Sequence, residues 1–385
     1  MICSRAISKK VCVIGAGPSG LVTAREMRKE GHNVVVLEQN HDIGGQWLYN
    51  PEVEDEDPLG KNDFMKVHSS VYSSLRLASP REIMGFTDFP FVIKKDRDVR
   101  RFPGHREVLL YLQDFCDYFE LRGMIRFNTV VVNVQMLEYP GVLGEDLKWV
   151  VRSKEVEKEV EEVFDAVVVA TGHYSKPRLP KIKGMDVWRR KQLHSHVYRI
   201  PEPFKNEVVV VVGSSISGQD ISMELVDVAK KIHLSAKSSH AISQGLSKVI
   251  SKYDTLHLHP QLIGFPFFEA QAKWIAQLLC GKTRLPSWDD MMLSIEEFYQ
   301  SRDIAGIPKN HTHDISSFEY CDKYGDYIGF PRLEKWRKEL CLSSVRNAEI
   351  DLETFRDVYH EDEEMLQQAY QSSHFTQIID QSRIP

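Results

Sequence analysis

The sequence predicts an α/β protein with two Rossmann-like units, the second inserted in the first. Three observations carry this expectation. The apolar run Val11-Cys12-Val13-Ile14 ends in Gly15-Ala16-Gly17-Pro18-Ser19-Gly20. The plan restarts at Val208–Val212, five valines that run into Gly213-Ser214-Ser215-Ile216-Ser217-Gly218. Each glycine turn is followed by a helix-like stretch and a second apolar run, the order strand, tight turn, helix, strand.

In the first unit each glycine has a mechanical role. Gly15 permits the turn, Gly17 lets backbone approach a pyrophosphate, and Gly20 lets helix pack on strand. The helix, read from Leu21 to Lys29 and closed by Gly31, turns its N–H groups and positive dipole end toward the phosphates. The next run, Val34 to Leu37, ends on Glu38, where a carboxylate accepts hydrogen bonds from a ribose diol. A carboxylate there repels a 2′-phosphate, so this unit is expected to take FAD or NAD and not NADP. Gly44-Gly45-Gln46-Trp47 follows; its double glycine lets backbone pass close to a cofactor and supports a flavin site at Gly45, Gln46 and Trp47.

Tyr72 to Phe86, with a proline and no period, reads as a strand-loop segment near the cofactor. Val108, Leu112, Phe115 and Phe119 recur at helical spacing within Arg106–Arg122, a core-facing helix. Lys148 to Asp165 reads as a hairpin with a solvated turn. Ala166–Ala170 is apolar throughout and predicts a buried parallel strand. It leads into Thr171-Gly172-His173, small residues at the carboxyl end of a strand, where open α/β sheets bind ligands. Pro177, Pro180, Pro201 and Pro203 bracket a linker whose basic run, Arg189-Arg190-Lys191, reads as solvated.

In the second unit a buried strand is expected at Val208–Val212 and a helix from Gln219 to about Lys230, with Ile221, Leu225 and Val228 on one face. The next strand, Ile232–Ser235, leads to Lys237. A lysine in place of the acid suits a 2′-phosphate, so this site is expected to prefer NADPH. One acidic and one basic terminus describe an oxidoreductase that passes hydride from NADPH to FAD.

Composition narrows the class. The chain has 385 residues, 42% hydrophobic and 27% charged, as in an ordinary soluble protein of two or three domains. A net charge of −6 argues against nucleic acid or an anionic membrane as the main partner. No run approaches a membrane span, and neither end reads as a signal or an anchor, so the cytosol is the expected compartment. The six cysteines, Cys3, Cys12, Cys116, Cys280, Cys321 and Cys341, form no C-x-x-C and read as packed or surface thiols. That spacing leaves no redox pair for a disulfide reductase. Neither a metal cluster nor a side-chain triad is legible, and no catalytic side chain is assigned.

Taken together, these motifs resemble those of the flavin-containing monooxygenases, most closely the plant glucosinolate S-oxygenase-like branch. Four signals carry the likeness: Gly15–Gly20 with Glu38, Gly44–Trp47, Ala170-Thr171-Gly172 and Gly213–Gly218. A fifth, the family's F-x-G-x-x-x-H-x-x-x-Y, stands here as Trp188, Arg190, His194 and Tyr198, with two of four positions changed. Ile263–Glu269, Thr312-His313-Asp314 and Tyr324–Tyr327 also look like that branch. The resemblance implies that NADPH reduces FAD, that O₂ adds to give a C4a-hydroperoxyflavin, and that a thioether such as a methylthioalkyl glucosinolate becomes the sulfoxide. It implies a discontinuous FAD-binding domain at 1–175 and 262–385, a linker at 176–203 and a shortened NADPH-binding domain at 204–261.

The chain departs from the family twice. An asparagine common before P-R-E is replaced by Ala78 or Ser79. After Gln261 the family continues through a hairpin and two further strands, whereas this chain goes directly to Leu262–Pro266. The missing stretch exceeds the roughly 30 residues of one βαβ unit. Its loss would leave unpaired strand edges in both units. Two rival expectations stand beside the thioether reading: a nucleotide-binding form with impaired catalysis, and a flavin monooxygenase acting on a keto acid or ketone.

Overall fold

The computed structural model describes residues 8–53, 56–62, 67–137, 147–155, 158–180, 185–213, 216–235, 244–253, 287–304, 331–358 and 363–372, with Phe318, Asp322, Asp326 and Gly329. Ser214, Ser215 and Lys237 lie outside the described residues, as do Ile263–Glu269, Thr312–Asp314 and the residues around Gln261.

The first unit opens with β1 (Lys10–Ile14), α1 (Pro18–Lys29) and β2 (Asn33–Leu37). Pro18 starts α1 where a missing N–H costs nothing, and Arg28 and Lys29 end it where cations suit the dipole. Then come α2 (Arg81–Met84), α3 (His105–Tyr118), β3 (Ile125–Arg126), β4 (Thr129–Leu137), β5 (Lys148–Glu155), β6 (Lys158–Phe164) and β7 (Ala166–Val169). The parallel sheet has the order β3-β2-β1-β7, and β4-β5-β6 form a separate antiparallel sheet.

Strand alternation sorts β1 between two layers. Val11 and Val13 face Leu21, Val22 and Met27 of α1 and Val108, Leu112 and Phe115 of α3. Cys12 and Leu37 face the other way, onto Val151 and Phe164 of the antiparallel sheet. Because β1 has a strand on each side and a layer on each face, Val11, Cys12 and Val13 are 0% exposed.

The second unit comprises β8 (Val208–Val212), α4 (Ile216–Leu225) and β9 (Lys231–Ser235), with β8 and β9 parallel and Val210 opposite His233. Ile221, Leu225 and Ile232 pack with Tyr72 and Tyr198. Leu234 packs with Phe102, Leu352 and Phe355, together with Val249 of α5 (Gln244–Tyr253). The remaining helices among the described residues are α6 (Trp288–Ile304), α7 (Lys335–Ile350) and α8 (Glu363–Gln371). Trp336 and Leu340 of α7 pack on Ile83 of α2, and the Arg337 guanidinium donates to the Gly85 carbonyl at 2.7 Å. Among the described residues no helix is long and apolar enough to cross a membrane.

Four expectations need correction. β7 is not buried: among the described residues it pairs only with β1, and Val169 is 68% exposed. β8 is not buried either: among the described residues it pairs only with β9, and Val208, Val210 and Val212 are 57%, 55% and 52% exposed. An apolar run predicts two neighbours, and among the described residues these strands have one. The helix expected to reach Lys230 stops at Leu225. The segment beyond it is claimed by the approach to β8 instead: Asn206 N–H donates to the Val228 carbonyl and Lys230 N–H to that of Glu207. Tyr72–Phe86 holds no strand; it forms loop and the four-residue α2, touching Gly104 through one bridge at Arg76.

Candidate functional site

The first glycine turn has the geometry its sequence requires. Gly15 sits at φ +102°, and a Cβ there would lie 2.6 Å from the Ala170 carbonyl oxygen at the end of β7. Gly20 is excluded from any side chain more severely, since its Cβ would lie 1.9 Å from the Gly15 oxygen. Helix α1 therefore packs directly on the turn that precedes it. Gly17 is the N-cap, and beyond it Ser19 and Gly20 lie in the first turn, whose N–H groups lack intrahelical partners.

Opposite this turn Gly45 adopts φ +57°, and a Cβ on it would stand 3.0 Å from the Gly17 Cα. Two glycine backbones thus meet face to face. Gly44, at φ +120°, donates to the Ala16 carbonyl at 3.0 Å and ties the second turn to the first. The Ser69 hydroxyl donates to the Gln46 carbonyl at 2.6 Å and Trp47 packs against the core, so Gly45–Trp47 forms a fixed wall.

Glu38 is 3% exposed. One carboxylate oxygen accepts from Ala16 N–H at 2.6 Å; the other accepts from the Asn40 backbone at 2.8 Å and its side-chain amide at 2.9 Å. A carboxylate offers about four lone-pair sites and three are taken, so one remains for a ribose hydroxyl. Thr171 and Gly172 are exposed just past β7, with Gly172 at φ +73°. A Cβ on Gly172 would lie 3.6 Å from Nε2 of His68, which the sequence did not single out. Burial holds the His68 imidazole below its usual pKa, against the opposing pull of the Glu38 carboxylate. Its neighbours give it no motif, and only the folding of residues 67–69 against the Gly45 wall brings it here.

Gly213 and Gly218 repeat the geometry of Gly15 and Gly20. Gly213 has φ +104°, and a Cβ on Gly218 would lie 2.0 Å from the Gly213 oxygen. Ile216 and Ser217 open α4. Unlike Gly15, Gly213 has no atom of the described residues within 4 Å of where a Cβ would stand. The acid at the end of β2 has no acidic counterpart after β9, where Ser235 leads toward Lys237. These two cradles fit the adenosine-diphosphate ends of FAD and NADPH: each offers glycine backbone under a helix N-terminus, and the first adds the carboxylate for an unphosphorylated ribose.

A joint unseen in the sequence connects the units. Asp220 and Glu224 stand one turn apart on α4. Tyr72 donates to Asp220 at 2.8 Å, and Arg356 makes two contacts of 2.9 Å with the same carboxylate. Tyr198 donates to Glu224 at 2.6 Å, and the Ser74 hydroxyl also donates to Glu224. Burial first, and the acceptor carboxylates second, push both tyrosine pKa values up, so both remain donors. Arg356 also donates to the Leu77 carbonyl at 3.0 Å, beside Ala78 and Ser79. Of the altered family signature, Tyr198 belongs to this joint, the His194 side chain accepts from His196 N–H at 3.1 Å, and Trp188 and Arg190 are exposed.

Comparison with known proteins agrees with this geometry. The family model described as flavin-binding monooxygenase-like matches residues 8–258. Two Arabidopsis thaliana proteins, flavin-containing monooxygenases FMO GS-OX-like 9 and GS-OX-like 8, are each 56% identical. The first aligns over 97% of this chain and 97% of its own length, the second over 96% of each. The alignment with the first runs over 456 positions, so at least 71 have no residue in this 385-residue chain. The structure of S-allyl-L-cysteine S-oxygenase from Allium sativum superposes with a TM-score of 0.85 at 35% identity, over 96% of this chain and 99% of that one.

Proposed function

The chain belongs to the flavin-binding monooxygenase-like family, and on that premise we propose that it S-oxygenates a thioether, with methylthioalkyl glucosinolates as the first substrates to test. It is an FAD- and NADPH-dependent enzyme that uses O₂ on a small molecule. In our reading residues 1–175 and 262–385 form the FAD-binding domain, 176–203 a linker and 204–261 the NADPH-binding domain, in a cytosolic protein. The observation that carries the proposal is the pairing of two glycine turns of like spacing and opposite charge preference, Gly15–Gly20 with Glu38 and Gly213–Gly218 with Lys237.

In the first cradle, Gly15, Ala16, Gly17, Pro18, Ser19 and Gly20 would hold the FAD pyrophosphate under α1, and Glu38 its ribose. Gly45, Gln46 and Trp47 would close one side, and Thr171 and Gly172 the end of β7. In the second, Gly213, Ser214, Ser215, Ile216, Ser217 and Gly218 would receive NADPH, and Lys237 its 2′-phosphate. Bound FAD supplies oxygen activation once NADPH has reduced it, so the protein needs no nucleophile of its own. The joint at Asp220 and Glu224 sets the orientation of α4 toward the FAD unit. The thioether reading draws support from the S-oxygenase named above and from the GS-OX-like relatives.

The test is a flavin absorbance spectrum of the purified chain, then NADPH oxidation with a methylthioalkyl glucosinolate or an S-alkyl cysteine, and mass analysis of the product. A yellow protein that yields the sulfoxide is expected. A yellow protein that oxidises ketones alone would overturn the thioether reading. A second reading, a coenzyme-binding form with impaired turnover, is favoured by the 71 or more unmatched positions and the open edge of β8. Full flavin content without NADPH-dependent O₂ uptake would select it.

A further inference from the structure

We propose that two copies of this chain associate through the open edge of β8, forming a continuous sheet in the order β9-β8-β8-β9. β8 pairs with β9 alone among the described residues, and none of those residues takes up the backbone N–H and C=O groups of its outer edge, which can template another strand. The corresponding edge of β1 is covered by β7, and the Ala170 oxygen just past that strand closes over Gly15; among the described residues no atom closes over Gly213. The edge is also undefended. Charged residues, proline or a bulge ordinarily blunt such a strand, and Val208–Val212 contains none of these.

The strand's own sequence points to a second copy as the occupant. Five identical valines read the same in both directions, so antiparallel pairing about a twofold axis at Val210 is self-complementary. Val208 then meets Val212 of the other copy, and each Val210 meets its equivalent. Glu207 falls opposite Gly213, so no like charges face each other. β-Branched pairs favour this arrangement, and an antiparallel strand added to a parallel pair is a common sheet edge. Val208, Val210 and Val212 share the face turned away from α4, and pairing sets those of one copy beside those of the other.

The test uses the full chain, light scattering and sedimentation over a concentration series up to about 100 µM, a range suited to a weak interface. A species of twice the 44.4 kDa chain mass is expected. Val210→Lys and Val210→Glu, at a side chain 55% exposed, should each weaken association about fivefold to tenfold by setting like charges opposite each other. An equimolar mixture of the two variants should restore it. Amide exchange at Val208–Val212 should slow as wild-type concentration rises. A wild-type monomer throughout, variants that dimerise as tightly as wild type, a mixture that stays monomeric, or concentration-independent exchange would each overturn the pairing. None of these readouts depends on coenzyme or turnover.

Discussion

The two nucleotide units share one local plan and differ in what surrounds it. Gly20 and Gly218 press on the oxygens of Gly15 and Gly213 at nearly the same separation, 1.9 and 2.0 Å for a built Cβ. Yet among the described residues β1 lies inside a four-stranded sheet with both faces covered, while β8 lies at the edge of a two-stranded one with a face exposed. A glycine turn is therefore specified within some ten residues, and the rigidity of that turn comes from strands far away in the chain. Residues 166–169 supply it to β1. Among the described residues nothing supplies it to β8.

Gly20→Ala against Gly218→Ala should break this comparison most sharply. Gly15 is fixed by its N–H bond to the Leu37 carbonyl, by β7 and by α1, so the turn in the first unit has nowhere to move. Overpacking there should cost about 3 kcal/mol or more and abolish FAD binding. Gly213 also donates to a strand carbonyl, that of Ser235, but among the described residues nothing stands against its other side. The same change at Gly218 should cost about 1 kcal/mol and show chiefly as weaker NADPH binding. Urea unfolding, with amide exchange read separately in each unit, measures both. Equal losses would mean that the open edge gives the second turn no freedom.

The strands offer the next contrast. Val13→Ala removes methyl groups from a fully buried position between α1 and α3 and should cost about 2 kcal/mol. Val210→Ala removes the same atoms from a side chain more than half in solvent and should cost less than about 0.5 kcal/mol. If the two costs converge in amide exchange of β1 and β8, the uncovered face of β8 is covered in solution.

What the sequence disclosed follows the same division. The turns, Glu38, β1, α1, β2, β9 and the hairpin are legible because each rests on a local rule: a glycine at positive φ, a proline at a helix start, an alternating run. The environment of β7 and β8 is not legible, because a run of valines looks alike whether one strand or two lie beside it. His68 and the Asp220 joint were missed for a related reason. Their partners stand far off in sequence, as Tyr72 and Arg356 do from Asp220, and no spacing rule links them.

The joint itself allows a smaller test of how the second unit is held. Asp220→Asn keeps the shape and the Tyr72 contact but removes the charge that Arg356 faces, in a half-buried setting. A loss of about 1 to 2 kcal/mol is expected, less than for a fully buried pair because both side chains keep some solvent. It should appear as faster exchange in α4 and at Leu77–Ser79, with β1 unchanged. Glu224→Gln should do the same through Tyr198 and Ser74. If β1 loosens as well, the two units unfold as one and the contrast between them is structural only.

The smallest effect tests the layer that makes the first unit rigid. Glu162 on β6 is hydrogen-bonded to Arg126 of β3 at 2.5 Å and to Lys10 of β1 at 3.3 Å, which staples the antiparallel sheet to the parallel one. The Arg126 bond, ahead of the Lys10 contact, holds the Glu162 pKa below its usual range. A carboxylate lowered on folding contributes stability that is present above its unfolded pKa, about 4.3, and is lost as pH falls through the lower folded value. Wild type and Glu162→Gln should therefore differ by about 0.5 kcal/mol or less at neutral pH, the pair being partly exposed, and should converge in acid. Exchange in β6 and β1 measured against pH reads this directly. Exchange in β8 should show no such difference, because Glu162 staples strands of the first unit alone. A gap that widens in acid would mean that the carboxylate is not what ties the layers together.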